Sequence, residues 1–161
     1  MKKLIVYIIF NIILANQISI DLITTNDIHG VVNKQTAYFM NPEYPPTIIG
    51  GAGFYKYLSE LKKDENINTL ILDGGNFFQG SNFGMNDKGK SMVEWMNLLE
   101  YDVFVPGQYD FIFGVENLND ILKNAKFSVV GSNLNCNNCI ENLKPYVIKE
   151  IEGVKVGILG I

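Results

Sequence analysis

Three times along this chain a short apolar run breaks into a polar turn rich in glycine and asparagine, and helical spacing fills the stretches between. The runs are "SIDLITT" (residues 19–25), "TLILD" (69–73) and "YDVFV" (101–105), and the turns after them are "NDIHG", "GGNFFQGSNFG" and "GQYDFIFG". Phe54, Leu58 and Leu61, and later Met92, Trp95, Met96 and Leu99, recur as single apolar stripes. Leu118, Ile121 and Leu122 mark a third helix before a fourth run, "FSVVG" (127–131). Short strands alternating with helices predict βαβ crossovers and a mainly parallel sheet, an α/β fold. "TLILD" reads as a strand covered on both faces. "YVIKEIEGVKVGILGI" (146–161) reads as two strands about a Glu152–Gly153 turn, the second of buried type. A domain seldom leaves such an edge open, so a longer gene product is expected.

A hydrophobic content of 47% with 19% charged residues suits one domain with a buried core. The net charge of -4 comes without a basic stripe, which argues against nucleic acid as a partner. Lys2 and Lys3, then "LIVYIIFNIIL" and the more polar "ANQIS", have the three parts of a secretory signal peptide, placed at 1–19. A spanning helix needs about 20 apolar residues, and this run is shorter and interrupted by Asn11. The expectation is therefore export to a secreted, periplasmic or extracellular location, with no membrane span once the leader is cleaved. In that setting "CNNC" predicts a short-loop disulfide between Cys136 and Cys139; a redox or metal role lacks a second cysteine pair.

Ligands of open α/β sheets gather beyond the carboxyl ends of the strands. The turns there carry Asp27 and His29, then Asn76, then Gln108, Tyr109 and Asp110. A carboxylate and an imidazole two residues apart on a turn can face one cation with mixed oxygen and nitrogen ligation. The same D-x-H-G turn is also served by a side-chain-stabilised turn with a solvated histidine. Trp95 and Met96 read as helix core, and Phe77 and Phe78 as packing or as the wall of a pocket for a planar base.

Taken together, "TNDIHG", the Gly50–Gly51 pair, "LDGGNFFQGS", Lys88–Gly89, Met96–Asn97, "PGQYDFIFG" and "GSNL" resemble, in order and spacing, the 5′-nucleotidase family of calcineurin-like metallophosphoesterases. The resemblance runs from about residue 21 to 161. It implies the front half of an αββα sandwich, a partial metallophosphoesterase domain over 20–161, and a two-metal hydrolase acting on nucleoside phosphates or related phosphate esters. It also implies divalent cations such as Zn, Mn or Mg. Asp27 and His29 would ligate the first; Asn76 and Gln108 stand at the bridging and second-metal positions. Tyr109 stands where a histidine would stabilise the phosphoryl group, and Asp110 follows it in the catalytic loop.

Three of these positions depart from the family pattern, which has Asp, Asn and His where this chain has Asn76, Gln108 and Tyr109. Ile112 also replaces an acidic residue, whereas Asp110, Phe111 and Gly114 fit. Two divalent ions ~4 Å apart repel by on the order of ten kcal/mol at an effective dielectric near 20, and an anionic bridge offsets this. A neutral amide offsets less, so weak or absent occupancy of the second site is expected. Gln108 adds a methylene to the amide ligand, and Tyr109 can donate a hydrogen bond but carries no positive charge. His29 is the only histidine in the sequence. The expectation is a phosphoric-ester hydrolase by family, inactive as these 161 residues. The alternatives are a nucleotidase-like scaffold kept for binding or structure, and a relic without stable function.

Overall fold

The computed structural model describes residues 18–64, 67–134 and 140–161. Nearly all of the expected leader and both Cys136 and Cys139 lie outside those residues, so the expectations placed on them stay as read from sequence.

Four parallel strands form the central sheet: β1 (Ile20–Thr25), β4 (Asn68–Asp73), β5 (Val103–Phe104) and β6 (Ser128–Val129), in that spatial order. Between β1 and β4 come a two-residue antiparallel pair, β2 (Gln35–Thr36) and β3 (Thr47–Ile48), and helix α1 (Gly50–Leu61). The one-turn helix α2 (Asn82–Met85) and α3 (Lys90–Leu98) connect β4 to β5, and α4 (Gly114–Leu122) connects β5 to β6. A hairpin of β7 (Tyr146–Ile151) and β8 (Val154–Leu159) completes the fold. The α/β class with a mainly parallel sheet and helical crossovers is as expected. No helix among the described residues is long and apolar enough to cross a membrane.

Strand alternation sorts the interior into two layers. Ile71, Phe104 and Val129 point to one face and join Leu58 of α1, Met92, Val93 and Met96 of α3, and Leu118, Ile121 and Leu122 of α4 in the main core. Their neighbours Leu72, Val103 and Val130 point to the other face, where Val147 and Ile158 of the hairpin cover them. Phe77 and Phe78 are fully buried, with Phe77 edge-on to Phe78 and to Phe104 at 5.0 Å. They are packing residues, each stabilising the fold by about 2–3 kcal/mol on burial.

Three local expectations need correction. Two-residue strands replace the five-residue runs at 101–105 and 127–131; just before the first of them the Asp102 carboxylate accepts from the Ile71 N–H at 3.0 Å. Leu72 is only half-buried within "TLILD". The last strand is not of buried type: β8 pairs only with β7 among the described residues, and Leu159 is 60% exposed. Its turn is where the sequence put it, with positive φ at Glu152 (48°) and Gly153 (79°), as a tight two-residue hairpin turn requires.

Candidate active site

Beyond β1 and β4 the two chains keep pairing as loops. Gly74 N–H donates to Thr25 O at 2.8 Å, Asp27 N–H to Gly75 O at 2.9 Å, His29 N–H to Asn76 O at 3.0 Å and Gly30 N–H to Phe77 O at 2.8 Å. The ladder bends sharply, and Asp27, His29 and Asn76 take φ of 52°, 51° and 58°. Asp, His and Asn are among the non-glycine residues that enter the left-handed region most readily, and such strain concentrates at functional loops.

The third loop, a 3₁₀ turn over Gln108–Phe111 after β5, is locked to the second by Asp110. This carboxylate is fully buried and accepts from Asn76 N–H and Gly107 N–H at 2.8 Å each and from Phe77 N–H at 2.9 Å. Burial pushes Asp110 up to about 6 against the pull of those three donors. Both oxygens face backbone, not solvent, so Asp110 holds loops and is not positioned to meet a substrate. Tyr109 and Gln108 lie exposed on the same turn, and the Tyr109 ring stands 6.1 Å from the His29 ring.

The structure brings Asp27, His29, Asn76 and Tyr109 together. The His29 Nδ1 donates toward two acceptors, Gln79 O at 2.8 Å and Gln79 Oε1 at 3.1 Å, which fixes the ring with Nε2 turned toward Asp27. That Nε2 lies 3.8 Å from Asp27 Oδ1. Asn76 Nδ2 donates to Asp27 Oδ1 at 2.7 Å and Asn26 Nδ2 donates to Asp27 Oδ2 at 2.8 Å. These two amides, Asn76 foremost, hold the Asp27 carboxyl below its ordinary value against a smaller opposing effect of desolvation. The Asn76 Oδ1 accepts from Tyr109 N–H at 2.9 Å.

This donor set does not fit a two-metal centre. Asn76, at the bridging position, offers its NH₂ to Asp27 and spends its oxygen on backbone. Among the described residues no group of three or more His, Cys, Asp or Glu could hold a metal ion. Asp27 and the Nε2 of His29 could share one cation, but two ligands fall short of the three or four that retain a resident divalent ion.

Sequence reasoning missed three contributors. Gln79 orients His29, Asn26 supports Asp27, and Asp73 lies under the site with 2% exposure. Asp73 accepts from Thr25 Oγ1 at 2.6 Å and Gly75 N–H at 2.8 Å, and Thr25 Oγ1 is 2.9 Å from the Tyr101 hydroxyl. Burial raises Asp73 to about 6. An acid closing an otherwise apolar strand was its only trace in the sequence.

No family model matches the chain. It is 29% identical over 153 residues to the 5′-nucleotidase of Rattus norvegicus, covering 91% of this chain and 26% of the relative. Among solved structures, a 5′-nucleotidase precursor from Thermus thermophilus superposes with a TM-score of 0.72 at 27% identity, covering 87% of this chain and 28% of that one. The calcineurin-like phosphoesterase YfkN of Bacillus subtilis superposes with a TM-score of 0.60 at 24% identity, over 84% of this chain and 45% of that one, a likeness of fold. The chain thus spans about a quarter of the length of the 5′-nucleotidases it matches. The chain belongs to the 5′-nucleotidase family of calcineurin-like metallophosphoesterases and corresponds to their N-terminal domain region.

Proposed function

We propose that the chain is part of a 5′-nucleotidase-type phosphoric-ester domain that receives nucleoside phosphates at the loops after β1, β4 and β5, and that its own residues do not hydrolyse them. The observation that carries this is the hydrogen bond from Asn76 Nδ2 to Asp27 Oδ1 at 2.7 Å, where a metal-bridging carboxylate belongs. The retained Asp27–His29 pair supports recognition of a phosphate ester at this place through a loosely held Zn, Mn or Mg ion. The exposed Tyr109 hydroxyl is a further donor. The basic, apolar and polar order of residues 1–19 supports export, to a periplasmic or extracellular location.

Two assays on the purified chain test the reading. Equilibrium dialysis with AMP is expected to show binding, and release of inorganic phosphate in Mn²⁺, Zn²⁺ or Co²⁺ is expected to stay at the buffer rate. Metal-dependent release by the native chain would overturn the claim of inactivity. No binding of AMP or any other nucleoside phosphate would leave a scaffold without this ligand.

A further inference from the structure

We propose that Asn76 is a clasp standing in for metal: its carboxamide holds the three site loops in the arrangement that cations would otherwise secure, so the cluster keeps its shape metal-free. This rests on the reading that the site lacks a two-metal centre. From the second loop Asn76 makes two hydrogen bonds to each of the other two. Its Nδ2 donates to Asp27 Oδ1 at 2.7 Å and its Oδ1 accepts from Tyr109 N–H at 2.9 Å. Its backbone N–H donates to Asp110 Oδ2 at 2.8 Å, and its backbone O accepts from His29 N–H at 3.0 Å.

The orientation of the amide is fixed by its partners. Tyr109 presents an N–H, so oxygen must face it; Asp27 presents a carboxylate, so nitrogen must face that. Gly107 closes the space beside the amide, since a Cβ there would lie 2.5 Å from Asn76 Oδ1. An aspartate at position 76 would keep the Tyr109 bond but set a second anionic oxygen against Asp27 Oδ1, at a distance that calls for a cation or a proton between them. The amide removes that demand.

The test is thermal unfolding of the chain in EDTA and in millimolar MnCl₂, for native protein, Asn76→Asp and the swapped pair Asp27→Asn/Asn76→Asp. The swap restores one amide–carboxylate hydrogen bond with its direction reversed, while the amide oxygen placed at position 27 can still accept from Asn26. Native protein is expected to melt within about 1 °C in both buffers, and Asn76→Asp roughly 5 °C or more lower in EDTA, with recovery in MnCl₂. The swapped pair should regain most of the loss in EDTA. The clasp is overturned if Mn²⁺ raises the native midpoint by several degrees, if Asn76→Asp equals native in EDTA, or if the swap is no better than Asn76→Asp. Should Asn76→Asp fail to fold in EDTA, the swap still decides, because it must fold. These readouts are independent of phosphate release, so loss of the proposed ligand and loss of the clasp give different results.

Discussion

Asp73 carries an unusual load for a residue that closes a strand. Its carboxyl is buried, and its partners are the Thr25 hydroxyl, itself beside the Tyr101 hydroxyl, and the Gly75 N–H. Hydroxyls rotate, so a protonated Asp73 can donate to Thr25 without leaving a group unpaired. Burial lifts Asp73 from 3.8 to about 6, which means the fold prefers the protonated acid. A raised folded value contributes stability that is complete below the unfolded pKa and is lost as pH climbs through the folded one. Between pH 6 and 4 this residue should therefore strengthen the fold as pH falls. Asp73→Asn keeps the shape and removes the charge. At pH 7 it is expected to be more stable than native by about 1–3 kcal/mol, the difference vanishing near pH 4. Urea midpoints at pH 4, 5, 6 and 7 check this, and a constant difference across them would refute it. At this scale the sequence pointed to one cluster of Asp27, His29 and Asn76 because turn chemistry and motif order both mark them, and the three do lie together. The roles of Asp73 and Asp110 stayed hidden because their partners are hydroxyls and backbone N–H groups that only tertiary folding assembles.

Between elements, what positions the site is the close passage of two loops with no side chain between them. A Cβ on Gly75, whose φ is 98°, would meet Gly107 N at 2.3 Å, and one on Gly107 would meet Asn76 Oδ1 at 2.5 Å. Gly107 itself has an ordinary extended backbone, φ -90° and ψ 173°, so its requirement is one of space alone. Gly107→Ala should cost about 1–3 kcal/mol through overpacking and loosen the Tyr109–Asn76 contact. Gly157→Ala in β8, with nothing within 4 Å of its Cβ, should stay within about 0.5 kcal/mol of native. Denaturant midpoints of the two variants make the comparison, and equal effects would remove the steric account. The helices were legible because their stripes repeat every three or four residues, as Leu118, Ile121 and Leu122 do. The β2–β3 pair was not, since two residues hold no period, and neither was the exposure of β8, whose apolar composition says nothing of what covers it.

For the whole molecule, the site and the hairpin belong to layers of different strength. The loops rest on β1, β4 and β5, with the large aromatic and helical core behind them, whereas β7 and β8 reach the sheet through a small patch around Val103, Val130 and Val147. Polar links add the Ser132 N–H to Gly160 O bond at 2.7 Å, the Lys144 N–H to Val129 O bond at 3.0 Å, and the Lys149–Asp102 ion pair at 3.1 Å. On the far side of the hairpin Tyr146, Ile148 and Leu159 are each more than half exposed, which leaves little apolar burial to oppose opening. Local opening free energy follows buried apolar contact, so the hairpin should open without disturbing the parallel sheet. Hydrogen exchange is then expected to run at least ~100-fold faster at β7 and β8 amides than at Leu70 and Ile71, which corresponds to about 3 kcal/mol between the two openings. Lys149→Ala removes a partly exposed pair, worth up to about 1 kcal/mol, and should speed hairpin exchange a few-fold while β4 stays unchanged. If β4 accelerates together with the hairpin, the two layers unfold as one unit, and the loops that carry Asp27, His29 and Asn76 depend on the hairpin for their geometry.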